Sequence, residues 1–433
     1  MVSVLVAHLA LGFSGVPSKS RLNQVEAPPA SGPSAVSKRL AESWLRKVSP
    51  KLSPGDASLV ERAQTTLLGN LVAGKAWAPY SGIMPALGTY RGVWNWDSAF
   101  HAEALSMWDP ELARDQIRIL FDKQLPTGAL PDVIFEDGRT VTDFTKPPVM
   151  GWAIAVVDHR SPDDTFLNTM YPKLIKLGEF FEQHRGGASD GLFFYGGAHA
   201  GMDAGWDNSI RWDNGYLDPK TDDKRLWAVD LNCYMFSHYR ALAYIAARLH
   251  KPGDAKKWDA KAAELANRIN ERLWDETIGA YVDRDRLTHA NGPALSPVAF
   301  MPLFVHIVPP PRALRLAQLA EEPDRFYPGM PSAAYDTPGY DSSAYWRGPA
   351  WVNVSFFALK GLKDNGYGDL AEKMKANLLG WIDKNSDSLY EYYDSKDGKG
   401  LGARAYGWTA AFALSFVFDW DNADLTWLFP PGA

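Results

Sequence analysis

Apolar residues recur at helical spacing in block after block of this chain, and the joints between blocks are either very short or very long. After Asp109-Pro110-Glu111, a cap with a first-turn proline and acid, a stripe runs through Leu112, Ala113, Ile117, Leu120 and Phe121. Met170, Leu174, Leu177 and Phe181 form another, and Tyr234, His238, Ala241, Leu242, Ile245 and Leu249 a third. The next stripe, Trp258 to Leu273, follows after only Lys251-Pro252-Gly253. Further helices are expected over 314–321, 352–362, 369–384 and 408–418. Between them stand long stretches rich in glycine and aromatics, at 186–212, 327–351 and 390–408. Loops of that length are uncommon in compact domains unless they carry function. Strand signal is confined to a short hairpin around Gly279–Asp283. Without alternating strands and helices a doubly wound sheet is excluded. The expectation is an all-α fold of helical hairpins set in a ring, with no repeat sharp enough for a solenoid.

Composition narrows the function classes. With 46% hydrophobic residues and 17 tryptophans the chain is not disordered, and a net charge of −6 gives no footprint for nucleic acid. A lone Cys233 makes no internal disulfide and, on a helical stripe, reads as buried and inert. No stretch reaches the roughly 18–20 apolar residues of a membrane span. Val2–Phe13 is the longest apolar run, but no Lys or Arg precedes it and no A-x-A site follows. A cytoplasmic location is therefore expected, with export the alternative if that run is a signal. Residues 14–37 are rich in Ser, Pro, Gly and Ala, so residues 1–40 read as a tail or linker and 41–430 as one domain.

Several familiar chemistries are missing. There is no HExxH, Walker loop or GxGxxG after a strand, and nine scattered histidines argue against zinc, so no metal or organic cofactor is expected. Gly187-Ala188-Ser189-Asp190-Gly191 fits GxSxG, but a polar helix end precedes it instead of a strand, so it reads as a turn. Gly398-Lys399-Gly400-Leu401-Gly402 reads as a flexible turn for the same kind of reason.

Four segments combine tryptophan, tyrosine and acid: Tyr90–Asp97, Ala204–Asp213, Tyr345–Trp351, and Tyr390–Asp394 leading to Tyr406–Thr409. A pyranose presents apolar C–H faces and a rim of hydroxyls; flat aromatics cover the first and Asp, Asn, Arg or Gln satisfy the second. Any one segment is equally explained by core packing with an acid capping a helix; four on one scaffold favour a sugar pocket. Cleaving a glycosidic bond commonly uses two carboxyl groups, one a proton donor and one activating water or attacking. Asp207, beside Trp206, and Glu391, among Tyr390, Tyr392 and Tyr393, are the candidates. Asp203 and Asp213 are expected to bond the loop backbone, and His199 to be a satisfied loop histidine.

Trp206-Asp207-Asn208-Ser209-Ile210-Arg211-Trp212 resembles the GWD…S.RW signature of trehalases and of glycoside hydrolase family 63. Trp94-Asn95-Trp96-Asp97-Ser98 is similar to its W-x-WDS element, and Tyr345-Trp346-Arg347-Gly348-Pro349-Ala350-Trp351 to its YWRGP.W element. Tyr390-Glu391-Tyr392-Tyr393-Asp394 with Gly407-Trp408-Thr409 is similar to its E-x-Y-(D/N)…GWT element. The match runs over roughly residues 75–420 in order and spacing, and WRGP favours family 63 over trehalase.

The resemblance implies an (α/α)6 barrel and hydrolysis of an α-glycoside with inversion, Asp207 being the acid and Glu391 the base. It implies that Trp94, Trp96 and Asp97 line the sugar subsite and that Gln124, in a Q…G.(I/L)P loop, contacts sugar. Arg211, Tyr345 and Trp346 match leaving-group positions of glycerate-cleaving members; Tyr90, Trp212, Arg347, Trp351 and Trp408 complete the proposed binding set. The chain is short for the family, which favours a small substrate such as glucosylglycerate or mannosylglycerate. An oligosaccharide α-glucosidase or a trehalase is the alternative, and a non-catalytic sugar-binding protein the alternative of another class. A glycerate carboxylate would call for a cation, Arg211 or Arg347, but Arg211 is equally explained as a structural ion pair.

Overall fold

The computed structural model describes residues 35–196, 200–213, 226–422 and 425–430. Val2–Phe13 and His199 lie outside the described residues. The longer helices are α1 (Ala35–Val48), α2 (Pro54–Gly69), α3 (Asn95–Leu105), α4 (Pro110–Phe121), α5 (Met150–Arg160), α6 (Asp164–His184) and α7 (Val229–Arg248). They continue as α8 (Pro252–Arg272), the single turn α9 (Met301–Phe304), α10 (Pro310–Glu321), α11 (Val352–Asp364), α12 (Gly368–Lys384) and α13 (Gly407–Asn422). Helix α1 thus begins inside the stretch read as a tail, and its Trp44 packs on Trp108 and Phe418.

Helices α3, α5, α7, α9, α11 and α13 touch one another in that order, and α13 returns to α3, closing an inner ring. Helices α2, α4, α6, α8 and α12 pack outside it. The fold is the (α/α)6 toroid that the motifs imply. Burial shapes how each helix reads in the sequence, though not alone: α11 is buried from Val352 to Leu362 and its apolar run is still read as a helix. Outer α8 buries Trp258, Ala262, Leu265, Ala266 and Ile269, a single face, so its stripe is plain. Inner α3 is buried at every residue from Asn95 to Leu105, and α5 from Met150 to Asp158, so neither shows a polar face. At α4 the expected cap is present: Asp109 Oδ1 accepts the Leu112 N–H at 3.1 Å.

Each of α3, α5, α7, α9 and α11 passes to the next helix through a few residues, such as Ser161–Asp163 after α5 and Leu249–Lys251 after α7, whereas α13 packs on α2 from the other end of the chain. The return connections are long, and all open at the N-terminal ends of inner helices, on one side of the ring. Two expectations are corrected here. The segment 390–408 is not a loop throughout: Tyr390–Tyr393 and Gly400–Arg404 form an antiparallel hairpin. Only the start of Gly398–Gly402 is a turn, because Gly400–Gly402 belong to that hairpin. The GxSxG stretch is one helical turn, Gly187–Asp190, between two left-handed glycines after α6, as read. The hairpin near Gly279 is also present, as Trp274–Asp275 paired with Ala280–Tyr281.

Candidate active site

Long connections before α3, α5, α7, α11 and α13 bring their aromatics together over one mouth of the ring. Trp346 stacks on Trp351 at 3.7 Å and on Trp206 at 4.6 Å, while Trp351 stacks on Tyr392 at 4.5 Å. Trp408 meets Trp96 edge-on at 5.4 Å. The motifs are also zipped to each other by polar bonds. Asn208 Oδ1 accepts the Trp346 N–H at 2.9 Å, and Arg347 pairs with both oxygens of Asp213.

Glu391 sits in the hairpin with 2% exposure, and three donors hold it. Oε1 accepts from the Tyr90 hydroxyl at 2.9 Å and the Tyr345 hydroxyl at 3.4 Å; Oε2 accepts from Ala403 N–H at 2.9 Å. Burial pushes its carboxyl up to about 7, against the lowering effect of those donors. Trp408 fixes the backbone beneath it, its indole N–H donating to the Glu391 carbonyl at 3.1 Å. Tyr345 takes a left-handed φ of 52°, a cost for an aromatic residue that its contacts with Glu391 and with Trp351 Nε1 offset.

Asp207 is half-buried, and desolvation raises its carboxyl above the ordinary range, with Lys146 as the opposing charge. Its charge is felt at Glu391, Tyr90, Tyr345 and Tyr406, so the two candidate carboxyls share one site. Asp97 is 2% exposed, its Oδ1 has no hydrogen-bond partner, and burial raises its carboxyl to about 8. Trp94 Nε1, from the same motif, is likewise unpartnered. A buried donor and acceptor left open are what a sugar hydroxyl would satisfy.

Three of the residues expected to bind have polar groups engaged within the protein. Arg211 is fully buried, with bidentate bonds to Asp230 (2.7 and 3.0 Å) and Asp283 (2.7 and 3.2 Å), under the rings of Trp206 and Trp212. Each of its side-chain nitrogens is committed, so it shapes the loop instead of meeting a sugar. Trp212 lies behind the loop at 4% exposure, its N–H on the Trp206 carbonyl at 2.8 Å. Gln124 directs its amide N–H groups at the carbonyls of Gly128 and Lys173, clamping its loop to outer helix α6. Arg347 remains half-buried at the rim, already paired with Asp213. Asp203 bonds the backbone of Thr145 and Gly196, as expected, and also Arg185.

The reading from sequence missed Lys146 and Asp132, both buried in this site; Tyr406, from the fourth aromatic segment, is buried there too. Lys146 Nζ lies 3.3 Å from Asp132 Oδ1, whose carboxyl burial raises to about 6. Their only signal is position, a lysine before Pro147-Pro148 and an acid after Pro131. Among the described residues no group of three or more His, Cys, Asp or Glu stands where it could hold a metal ion, and no helix is long and apolar enough to cross a membrane.

A toroid that gathers tryptophans and two acid-bearing motifs at one end of its ring has the make-up of a glycoside hydrolase. Residues 90–409 match the Mannosylglycerate hydrolase MGH1-like glycoside hydrolase domain, and the chain belongs to that family. It is 26% identical to "Mannosylglycerate hydrolase MGH1" of Selaginella moellendorffii, over 91% of this chain and 92% of the relative. A family 63 mannosylglycerate hydrolase of Thermus thermophilus, solved with Tris and D-glycerate, superposes with a TM-score of 0.71 and 26% identity, covering 83% of this chain and all of that one. A periplasmic trehalase of Salmonella is 28% identical over 49% of this chain and 39% of its own length.

Proposed function

We propose that the chain hydrolyses an α-glycosidic bond with inversion, Asp207 donating the proton and Glu391 activating the water. The observation that carries this reading is the hold on Glu391: two hydroxyls and one amide aimed at a buried carboxylate that feels the charge of a half-buried Asp207. In the reaction, water attacks the anomeric carbon from the side opposite the leaving group while Glu391 takes its proton. The bond to the departing oxygen breaks as Asp207 protonates it. Glu391 ends neutral and Asp207 ionised, and exchange with solvent restores both. Desolvation suits Asp207 to remain protonated until that step.

The substrate we propose is a small α-glycoside, mannosylglycerate or glucosylglycerate, on the strength of the mannosylglycerate hydrolases the chain resembles. One observation favours a second reading with a neutral leaving group, a trehalase or α-glucosidase: both motif arginines already face carboxylates, Arg211 two and Arg347 one. A panel of both glycerate glycosides, trehalose, kojibiose and nigerose decides between them, with the first-formed anomer followed by NMR. Release of a β-anomer from an α-glycoside is expected. An α-anomer, or no cleavage of any panel member, overturns the proposal. Asp207→Ala and Glu391→Ala should each lose about 10²–10⁴-fold in kcat.

A further inference from the structure

We infer that Lys146 is the positioning residue of the proton donor: it anchors the loop that carries Asp207 and supplies the positive charge against which that carboxyl releases its proton. The inference rests on the reading of Asp207 as the acid.

The anchoring is direct. Lys146, 7% exposed in the connection before α5, donates to the carbonyl of Met202 in the one-turn helix Ala200–Ala204. The neighbouring Thr145 N–H donates to Asp203 Oδ1 at 3.0 Å. That turn is locked to the acid: Trp206 N–H reaches the Gly201 carbonyl at 2.9 Å, and a Cβ on Gly201 would stand 2.4 Å from the Asp207 carbonyl oxygen. Lys146 therefore holds the turn against which Asp207 is seated.

The charges around it are specific. Lys146 faces Asp132 at 3.3 Å, and also Asp207, Asp203 and Asp97. Although burial works against an ammonium, the acids beside it, Asp132 foremost, hold the Lys146 ammonium above its ordinary value. Asp207 faces Lys146, Glu391, Asp132 and the hydroxyls of Tyr90, Tyr345 and Tyr406. The nearby arginines are engaged elsewhere, Arg185 with Asp203, Arg211 with Asp230 and Asp283, and Arg347 with Asp213. A cation beside a donor acid stabilises the carboxylate left when the proton departs. Its effect must therefore scale with how much proton the leaving group needs.

The test compares alcohol and fluoride leaving groups. Wild type, Lys146→Met, Lys146→Arg and Asp207→Asn are assayed on α-mannosylglycerate against α-mannosyl fluoride, and on α-glucosylglycerate and trehalose against α-glucosyl fluoride. Fluoride departs with little protonation. Lys146→Met should lose about tenfold or more in kcat on the glycosides and stay within about threefold on the fluorides. Its high-pH limb on the glycosides should move up by about one unit, since a cation that favoured ionised Asp207 is gone. Lys146→Arg keeps the charge and should restore the limb, which gives a readout if the methionine variant does not fold. Equal losses on both leaving groups with an unmoved limb, or no loss at all, overturn the inference. If Asp207→Asn itself fails to discriminate alcohol from fluoride, the acid reading falls; if it discriminates and Lys146→Met does not, only the role of Lys146 falls.

Discussion

Replacing Gly402 by alanine is the sharpest test that the hairpin exists to aim Glu391. The register of Tyr390–Tyr393 on Gly400–Arg404 shifts between Tyr390 and Tyr392, a bulge. The bulge turns Ala403 N–H onto Glu391 Oε2 at 2.9 Å and sets Gly402 at a φ of 74°. A methyl there would stand 2.5 Å from Glu391 Oε2 and 2.8 Å from Glu391 Cβ. Ordinary contact begins at 3.4 Å, so the carboxylate has to move by about 0.9 Å, enough to stretch the Ala403 bond out of range. The left-handed backbone adds roughly 1–2 kcal/mol for alanine, and relieving the contacts with Tyr392 Cε1 at 2.6 Å and Glu391 Cβ at 2.8 Å adds about 1–3 kcal/mol more, together within a typical stability of about 5–15 kcal/mol. A misplacement of about 1 Å at a reacting group costs on the order of 10²-fold.

The expected result is a fall of about 100-fold in kcat on the glycoside the wild type cleaves, with KM little changed and a melting temperature lower by a few degrees at most. Gly366→Ala is the control, because Gly366 has a φ of 95° and nothing within 4 Å of an added Cβ. It carries the backbone cost alone and should leave kcat intact. Steady-state kinetics at a temperature well below both melting transitions, with thermal melts alongside, makes the comparison. If Gly402→Ala keeps kcat within about threefold of wild type, or if Gly366→Ala loses as much, the aim of Glu391 is not what the bulge serves.

Tyr90→Phe removes a donor that lowers the Glu391 carboxyl, so the low-pH limb of activity, set by a base near 7, should move to higher pH; a limb that stays or falls refutes the assignment. Arg211→Met leaves Asp230 and Asp283 buried without their cation and should cost about 3–5 kcal/mol in urea unfolding, and an unchanged midpoint would show the pair to be dispensable. Burial raises Asp97 to about 8 and Glu391 to about 7, both above their unfolded values. Their contribution to stability is complete below the ordinary carboxylate range and lost as pH rises through those folded values, so the melting temperature should drop between about pH 5 and pH 9. A rise over that window contradicts the buried placement.

How far the sequence speaks depends on what each residue faces. Helices α4, α6, α8 and α12 bury one side and expose the other, so their stripes announce them. Helices α3 and α5 are enclosed on nearly all sides, and their runs carry no period to read. The hairpin bearing Glu391 hid for another reason: strands so short, one interrupted by a bulge and the other rich in glycine, lack the alternation that marks a strand. Within the site, dense aromatic motifs led to Trp96, Trp346, Trp351 and Trp408, which do meet over the ring. At Arg211, Trp212 and Gln124 the motif alone does not tell what each side chain faces, because a residue inside a motif can also turn inward and hold it up. Lys146 and Asp132 belong to one connection, between α4 and α5, and meet through its small hairpin, Val133–Ile134 on Thr140–Val141, whose two-residue strands are too short for any alternation to show.

That contrast between Arg211 and Lys146 resolves a conflict in the motif itself. An arginine close to a proton donor would ordinarily lower its pKa and weaken it as an acid near neutral pH. Arg211 avoids this by carrying two carboxylates of its own, Asp230 and Asp283, so that the cluster as a whole presents no excess positive charge to Asp207. Desolvation is then the dominant influence on the donor, and it points upward. Lys146, opposed by Asp132, is the cation whose field does reach Asp207. The loop therefore separates two needs that a single arginine could not meet together. Rigidity comes from a neutralised cluster behind Trp206, while support for the departing proton comes from a lysine on a different connection, adjustable without disturbing the loop's own shape.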